Sequence, residues 1–174
     1  MALAVCLLFD PDSDRAVRQL WRRAEELGLP TLLSHTHGQH HAHLSYVVLL
    51  EWEQRKVEMA LDTLERRGPF TLWFDAVGVM RRGRVCLMPA PTSDLAARQT
   101  AVLDAVESTG ALVHKHYARG RWLPHLSIVT RAARDRVPAV SHVLFDVLPL
   151  QLTVAGTALI DSATGRMWRL RGVL

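Results

Sequence analysis

The sequence predicts an α+β fold built of two similar lobes, and three observations carry that prediction. Strand-like apolar runs alternate with amphipathic helical stretches along the 174 residues. The order of these elements restarts near Ser93. The second pass also repeats residues of the first, the triplet His43-Leu44-Ser45 returning as His125-Leu126-Ser127. A duplicated helix-strand-helix-hairpin unit suggests lobes related by a pseudo-twofold axis, with the repeated strands facing each other across a central cleft. The chain is therefore read as one domain, 1–174, made of two repeats meeting at about residue 90.

The elements follow in order. The apolar run Ala2 to Phe9 reads as a first strand, and Asp10 with Pro11 gives a helix start. Val17, Leu20, Trp21, Ala24 and Leu27 then recur at helical spacing until Gly28 and Pro30 stop the helix. A histidine-rich loop leads into a strand from His43 to Leu50, followed by a helix from about Glu51 to Arg67 that Gly68 and Pro69 close. Phe70 to Met88 reads as two strands joined at Arg81 to Gly83. In the second half, Leu95, Val102 and Val106 mark a helix ending at Gly110, and His125 to Thr130 forms a strand. A short helix begins near Pro138, and the chain closes with strands Leu150 to Ile160 and Met167 to Leu170 about a turn at Ser162 to Gly165.

The repeat extends beyond the triplets. Ser13, Asp14, Ala16, Arg18 and Gln19 match Ser93, Asp94, Ala96, Arg98 and Gln99, and Gly28 matches Gly110. Pro69 and Leu72 match Pro149 and Leu152, while Gly83-Arg84 matches Gly165-Arg166. The separation is nearly constant, and its small changes fall in loops.

With 49% hydrophobic and 22% charged residues, the chain has the balance of a folded globular protein rather than a disordered one. A net charge of +4 and a pI near 9.7 favour anionic partners such as nucleotides and nucleic acid. Basic residues such as Arg55 and Lys56 are interleaved with acids, which marks solvated helix faces. Cys6 and Cys86 stand in apolar strands, where a thiol behaves as a small hydrophobe, so a reducing cytoplasmic setting is expected. The first apolar run lacks a basic leader and a cleavage site and reads as a strand, and no stretch is long enough to span a bilayer.

Alternate side chains of a strand share a face, so His43 and Ser45 project together, as do His125 and Ser127, with Leu44, Tyr46, Leu126 and Ile128 packed behind. Two imidazole–hydroxyl couples across a groove suit in-line displacement at phosphorus. One imidazole takes the proton of the attacking oxygen and the other protonates the departing oxygen, which a pKa of about 6.5 permits near neutral pH. The serines would donate to the non-bridging phosphate oxygens, and this chemistry needs no metal. In a chain with nine histidines, about one His-x-Ser/Thr is expected by chance, but two identical copies at equivalent places in a repeat are a strong signal.

The segments Ala42-His43-Leu44-Ser45-Tyr46 and Pro124-His125-Leu126-Ser127-Ile128 resemble the hydrophobic-His-x-Ser/Thr-hydrophobic signature of the 2H phosphoesterase superfamily, which includes 2′,5′ RNA ligase-like proteins and cyclic phosphodiesterases. The resemblance covers nearly the whole chain. It implies a bilobal fold of two antiparallel sheets with outer helices and the active site between the lobes. It further implies catalytic roles for His43 and His125, phosphate binding by Ser45 and Ser127, and action without a cofactor on 2′,3′-cyclic phosphates or 2′,5′ linkages of RNA ends and small nucleotides. Both hydroxyl positions are serine here, whereas many relatives carry a threonine, so the stiffer β-branched rotamer is lost.

Two loops flank the triplets. His35, His37, His40, His41 and His43 match no standard zinc spacing and lack nearby cysteines or carboxylates, so no metal is expected there, although His40 and His41 are candidates to touch substrate. Tyr117, Arg119, Arg121 and Trp122 precede the second triplet and offer guanidinium groups for phosphate and rings for stacking on a base. The leading expectation is a monomeric, metal-independent phosphodiesterase. The alternatives are the same site run backward as a 2′,5′ RNA ligase, and a non-catalytic module that binds RNA ends or nucleotides.

Overall fold

A computed structural model describes residues 2–174. Strand β1 (Leu3–Phe9) leads into helix α1 (Pro11–Glu26), which starts where the sequence places it because the Asp10 carboxylate accepts the Ser13 N–H at 2.7 Å and Pro11 occupies the first turn. Strand β2 (His43–Glu51), helix α2 (Gln54–Asp62), strand β3 (Phe70–Met80) and strand β4 (Arg84–Pro89) complete the first half. Helix α3 (Ser93–Glu107), capped by Thr92, then precedes the short β5 (Leu112–Val113) and β6 (Leu126–Val129). Helix α4 (Val137–Phe145) and strands β7 (Leu150–Asp161) and β8 (Met167–Arg169) close the chain.

Two local expectations change. Helix α2 is shorter than its apolar pattern suggests: Glu51 stays in β2, paired with Leu112 of β5, and the helix frays where the Thr63 hydroxyl donates to the Ala60 carbonyl. Arg67 has by then left the helix, its N–H bonding Val173 near the C-terminus. Strand β5 itself carries no two-residue signal that alternation could reveal.

The strands expected in two antiparallel sheets form one hydrogen-bonded ladder, in the order β5-β2-β1-β7-β3-β4-β6, with β8 also on β7. Every named pairing is antiparallel. Strand β7 joins the halves because it is long: Leu150–Val154 pairs with Phe70–Phe74 of β3, and Val154–Asp161 pairs with β1 along its other edge. The β3–β7 register sets Leu72 opposite Leu152, two residues that the sequence repeat aligns with each other. Antiparallel strands paired at equivalent residues are related by a local dyad at that pair.

The helices cross between halves. Helix α1 packs on β6 and α3 packs on β2. The Trp21 indole of α1 donates to the Ser127 carbonyl at 3.0 Å, and the Trp122 indole donates to the Ser45 carbonyl at 3.0 Å. Leu44, Tyr46, Leu126 and Ile128 lie in the main core, at most 1% exposed, so the intervening His43, Ser45 and Ser127 face the other side of the sheet. On that side, Ala4, Cys6, Leu8, Ala158 and Ile160 form a smaller apolar floor.

Matching polar contacts brace both halves. Arg18 holds Asp14 and the His40 carbonyl, while Arg98 holds Asp94 and the Leu174 carbonyl. The Arg98 guanidinium also lies over the Phe70 ring, with its carbon 4.2 Å from the centroid. Because Leu72 and Leu152 are buried against each other, Leu72→Ala and Leu152→Ala should each lower unfolding free energy by about 2–5 kcal/mol. In denaturant melts the double variant should lose measurably less than the sum, since each truncation removes part of the other's contact.

Candidate active site

Each triplet histidine is oriented by its own chain. The His43 ring bonds the His41 carbonyl through Nδ1 at 2.7 Å, and the His125 ring bonds the Leu123 carbonyl through Nδ1 at 2.8 Å. A carbonyl only accepts, so both Nδ1 atoms carry the proton, and each neutral ring keeps its lone pair on Nε2. The carbonyl two residues upstream thus sets tautomer and ring direction in both halves.

Strands β2 and β6 come together, which brings the two rings into one electrostatic environment. Burial holds the His43 imidazole below its ordinary pKa, with the His125 charge adding to the effect. His125 is lowered chiefly by burial and also by the Arg84 guanidinium. Both rings are consequently neutral near pH 7 in the free protein.

The serines also have matching neighbours. Cys6 Sγ lies 3.5 Å from Ser45 Oγ, and Cys86 Sγ lies 3.9 Å from Ser127 Oγ, as the cross-strand registers Cys6–Ser45 and Cys86–Ser127 require. Burial pushes the two thiols up to about 12 and about 11, so both remain S–H donors. A thiol donating to its serine leaves the serine O–H free for a phosphate oxygen.

The second loop divides. Tyr117 is half-buried, with its hydroxyl beside Ser45 and within the fields of Cys6, Cys86 and Arg84; burial pushes it up to about 12, so it stays a neutral donor. Trp122 braces the Ser45 backbone and packs on Tyr46, with ring centroids 6.2 Å apart. Its indole is therefore engaged with the protein. Arg119 is exposed and pairs with Asp104 on α3. Arg121 is exposed, and its N–H closes the loop on the Ala118 carbonyl.

The first loop is a stack of imidazoles. His37 and His40 rings lie 4.1 Å apart, His40 Nε2 bonds Thr36 Oγ1 at 3.0 Å, and His37 Nδ1 accepts the Gln39 N–H. Gly165 in the β7–β8 turn lacks a side chain where the His37 ring lies, since a Cβ there would stand 2.4 Å from it. The loop is thereby docked beside His43. Among the described residues no three His, Cys, Asp or Glu side chains are placed to hold a metal ion. His41 supplies the carbonyl that orients His43, while its ring faces Arg18, Asp14 and Arg169.

Sequence reasoning missed Arg84, although Gly83-Arg84 belongs to the repeat and strand alternation sets Arg84 on the face of Cys86. It also missed Arg169, which three residues of β8 were too few to orient.

The sequence model of the 2′-5′ RNA ligase superfamily matches residues 10–166, a span that includes both triplets. The chain belongs to this superfamily. Its fold is shared with a Thermus thermophilus protein at TM-score 0.65 and 18% identity, covering 99% of each chain. Escherichia coli LigT complexed with 3′-AMP matches at TM-score 0.63 and 18% identity, over 97% of this chain and 96% of its own. Usb1 of Kluyveromyces marxianus matches at TM-score 0.53 and 12% identity, over 97% of both chains. No curated protein matches the chain. Membership in this superfamily supports an enzymatic role for the chain in general terms. Among its described residues no helix is long and apolar enough to cross a membrane.

The imidazole stack has a consequence for stability. Burial and the neighbouring His37, His43 and His35 push the His40 pKa down to about 4. Unfolding returns that ring to about 6.5, so the unfolded chain binds more protons below that pH and stability falls as pH falls. Melting temperature is expected to decline from pH 7 toward pH 4, and His40→Gln should make the decline shallower.

Proposed function

We propose that this superfamily member is a phosphodiesterase that opens 2′,3′-cyclic phosphates or cleaves 2′,5′ linkages of RNA ends and small nucleotides, with His43 and His125 as its general acid and base. The observation that carries this reading is the matched pair of Nδ1–carbonyl bonds, which leaves an Nε2 atom at the start of β2 and another just before β6 for a substrate. Two free Nε2 atoms are what in-line displacement at one phosphorus requires.

In this reaction one neutral Nε2 takes a proton from water as its oxygen bonds to phosphorus. The bond to the departing ribose oxygen breaks, and that oxygen receives a proton from the other, protonated imidazole. The histidines exchange protonation states and solvent resets them. Ser45, Ser127 and the Tyr117 hydroxyl donate to the non-bridging oxygens, and the Arg84 guanidinium offsets their charge. The steps require no group beyond these side chains and water, so turnover is expected to persist in excess chelator.

Both triplets come from one chain, so the site is complete in a monomer. The two free thiols beside the serines fit a reducing, cytoplasmic setting. The complex of the related LigT with 3′-AMP supports a nucleotide as ligand here.

On a 2′,3′-cyclic nucleotide, His43→Ala and His125→Ala should each reduce kcat by about 10³-fold while far-UV dichroism stays unchanged. Ser45→Ala and Ser127→Ala should cost about 10²-fold. Because both imidazoles are lowered, the acid form is lost as pH rises through the depressed pKa. The bell-shaped kcat/KM profile should therefore peak on the acidic side of about 6.5. Full turnover by either histidine variant would refute the reading, and a wild type that binds such nucleotides without turnover would make the protein a binding module.

A further inference from the structure

A separate concavity begins at Leu8, the residue that pairs with His43 across β1 and β2. A cavity of about 270 Å³ opens beside His43, walled by Leu8, Gly156, His41, Asp10, Asp14 and Arg169. Its place follows from strand register. Ser45 pairs with Cys6, Cys6 with Ala158, and Ala158 with Arg169, so one row across four strands carries Ser45 and Arg169 on the same face. The adjacent row runs His43, Leu8, Gly156. Glycine and alanine on β7 keep the floor between the triplet and Arg169 low, and the Arg169 guanidinium reaches back to 4.0 Å from the position a Gly156 Cβ would take.

The charges lining this cavity are unequally engaged. Asp10 spends its carboxylate on the Ser13 N–H at the start of α1, and Asp14 accepts from Arg18 and from the Ala42 N–H. Among the described residues Arg169 forms no ion pair and is exposed to solvent. The His41 imidazole lies within the fields of both Arg18 and Arg169 and would gain from an anion placed between them. Three inter-strand steps of about 4.8 Å separate Ser45 from Arg169, a span wider than one phosphate group and suited to a neighbouring nucleotide.

We propose that this cavity is a second phosphate subsite, in which Arg169 and His41 hold a phosphodiester of the strand adjoining the reacting phosphate. The substrate class is then an oligonucleotide end rather than a free mononucleotide. This inference rests on the two-histidine reading of the triplets for the position of the reacting phosphate, while the binding it describes is measurable apart from turnover.

The test compares wild type and Arg169→Ala on 2′,3′-cyclic AMP and on a short oligoribonucleotide ending in a 2′,3′-cyclic phosphate. Fluorescence anisotropy of the two ring-opened oligonucleotides, one ending in a 2′-phosphate and one in a 3′-phosphate, is measured in parallel. Wild type should prefer the oligonucleotide, and Arg169→Ala should cut the ratio of the two kcat/KM values by about tenfold. Product affinity should weaken similarly, and the slope of log affinity against log salt should become shallower by about one. Equal loss on both substrates, or unchanged oligonucleotide affinity, would overturn the subsite. A wild type that turns over neither substrate while Arg169→Ala still loses oligonucleotide affinity would uphold the subsite and remove the catalytic reading.

Discussion

The antiparallel pairing of β3 with β7 is the constraint on which the rest of the molecule depends. By aligning Leu72 with Leu152 it ties two matching half-sheets into one ladder, and the sheet then brings its far strands β2 and β6 together. Helices α1 and α3 cross to the opposite halves, and the Trp21 and Trp122 indoles bond the backbone of the two triplets. Relative placement of the triplets is therefore a property of the whole sheet rather than of either loop.

Within that frame the site is built from short-range devices used twice. A carbonyl two residues upstream orients each imidazole, and a cross-strand thiol sits behind each serine hydroxyl. Such duplication economises on parts but makes the two halves chemically alike, and acid–base work needs them to differ. The difference enters through residues that surround the two triplets unequally. Arg84 stands near His125 where the first strand has Ala4, and the imidazole stack of His35, His37 and His40 flanks only His43. In the proposed reaction, rings that are neutral in the free protein would gain their proton as the phosphate arrives.

Local patterns were legible where one principle dominated. Alternation placed His43 with Ser45 and the leucines behind them, and Asp10-Pro11 marked the start of α1 as observed. What the patterns left unread has equally local reasons. Arg119 meets Asp104 on α3, a pairing between segments that no spacing encodes. Helix α2 ends early because Arg67 finds a backbone partner near the far end of the chain. Trp122 also braces the first triplet, its indole N–H donating to the Ser45 carbonyl from the far half of the chain.

The sequence by itself determined the element order, the α+β class, and the two His-x-Ser triplets with their shared face, because these follow from residue type and period along one strand or helix. Only the tertiary structure decided that the strands join in a single sheet, that Arg84, Tyr117 and Arg169 stand on the triplet side, and that Arg119 meets Asp104 of α3. Those outcomes depend on pairing between residues far apart in the chain, whose register is set by side chains packing across strands and carries no mark in any one segment.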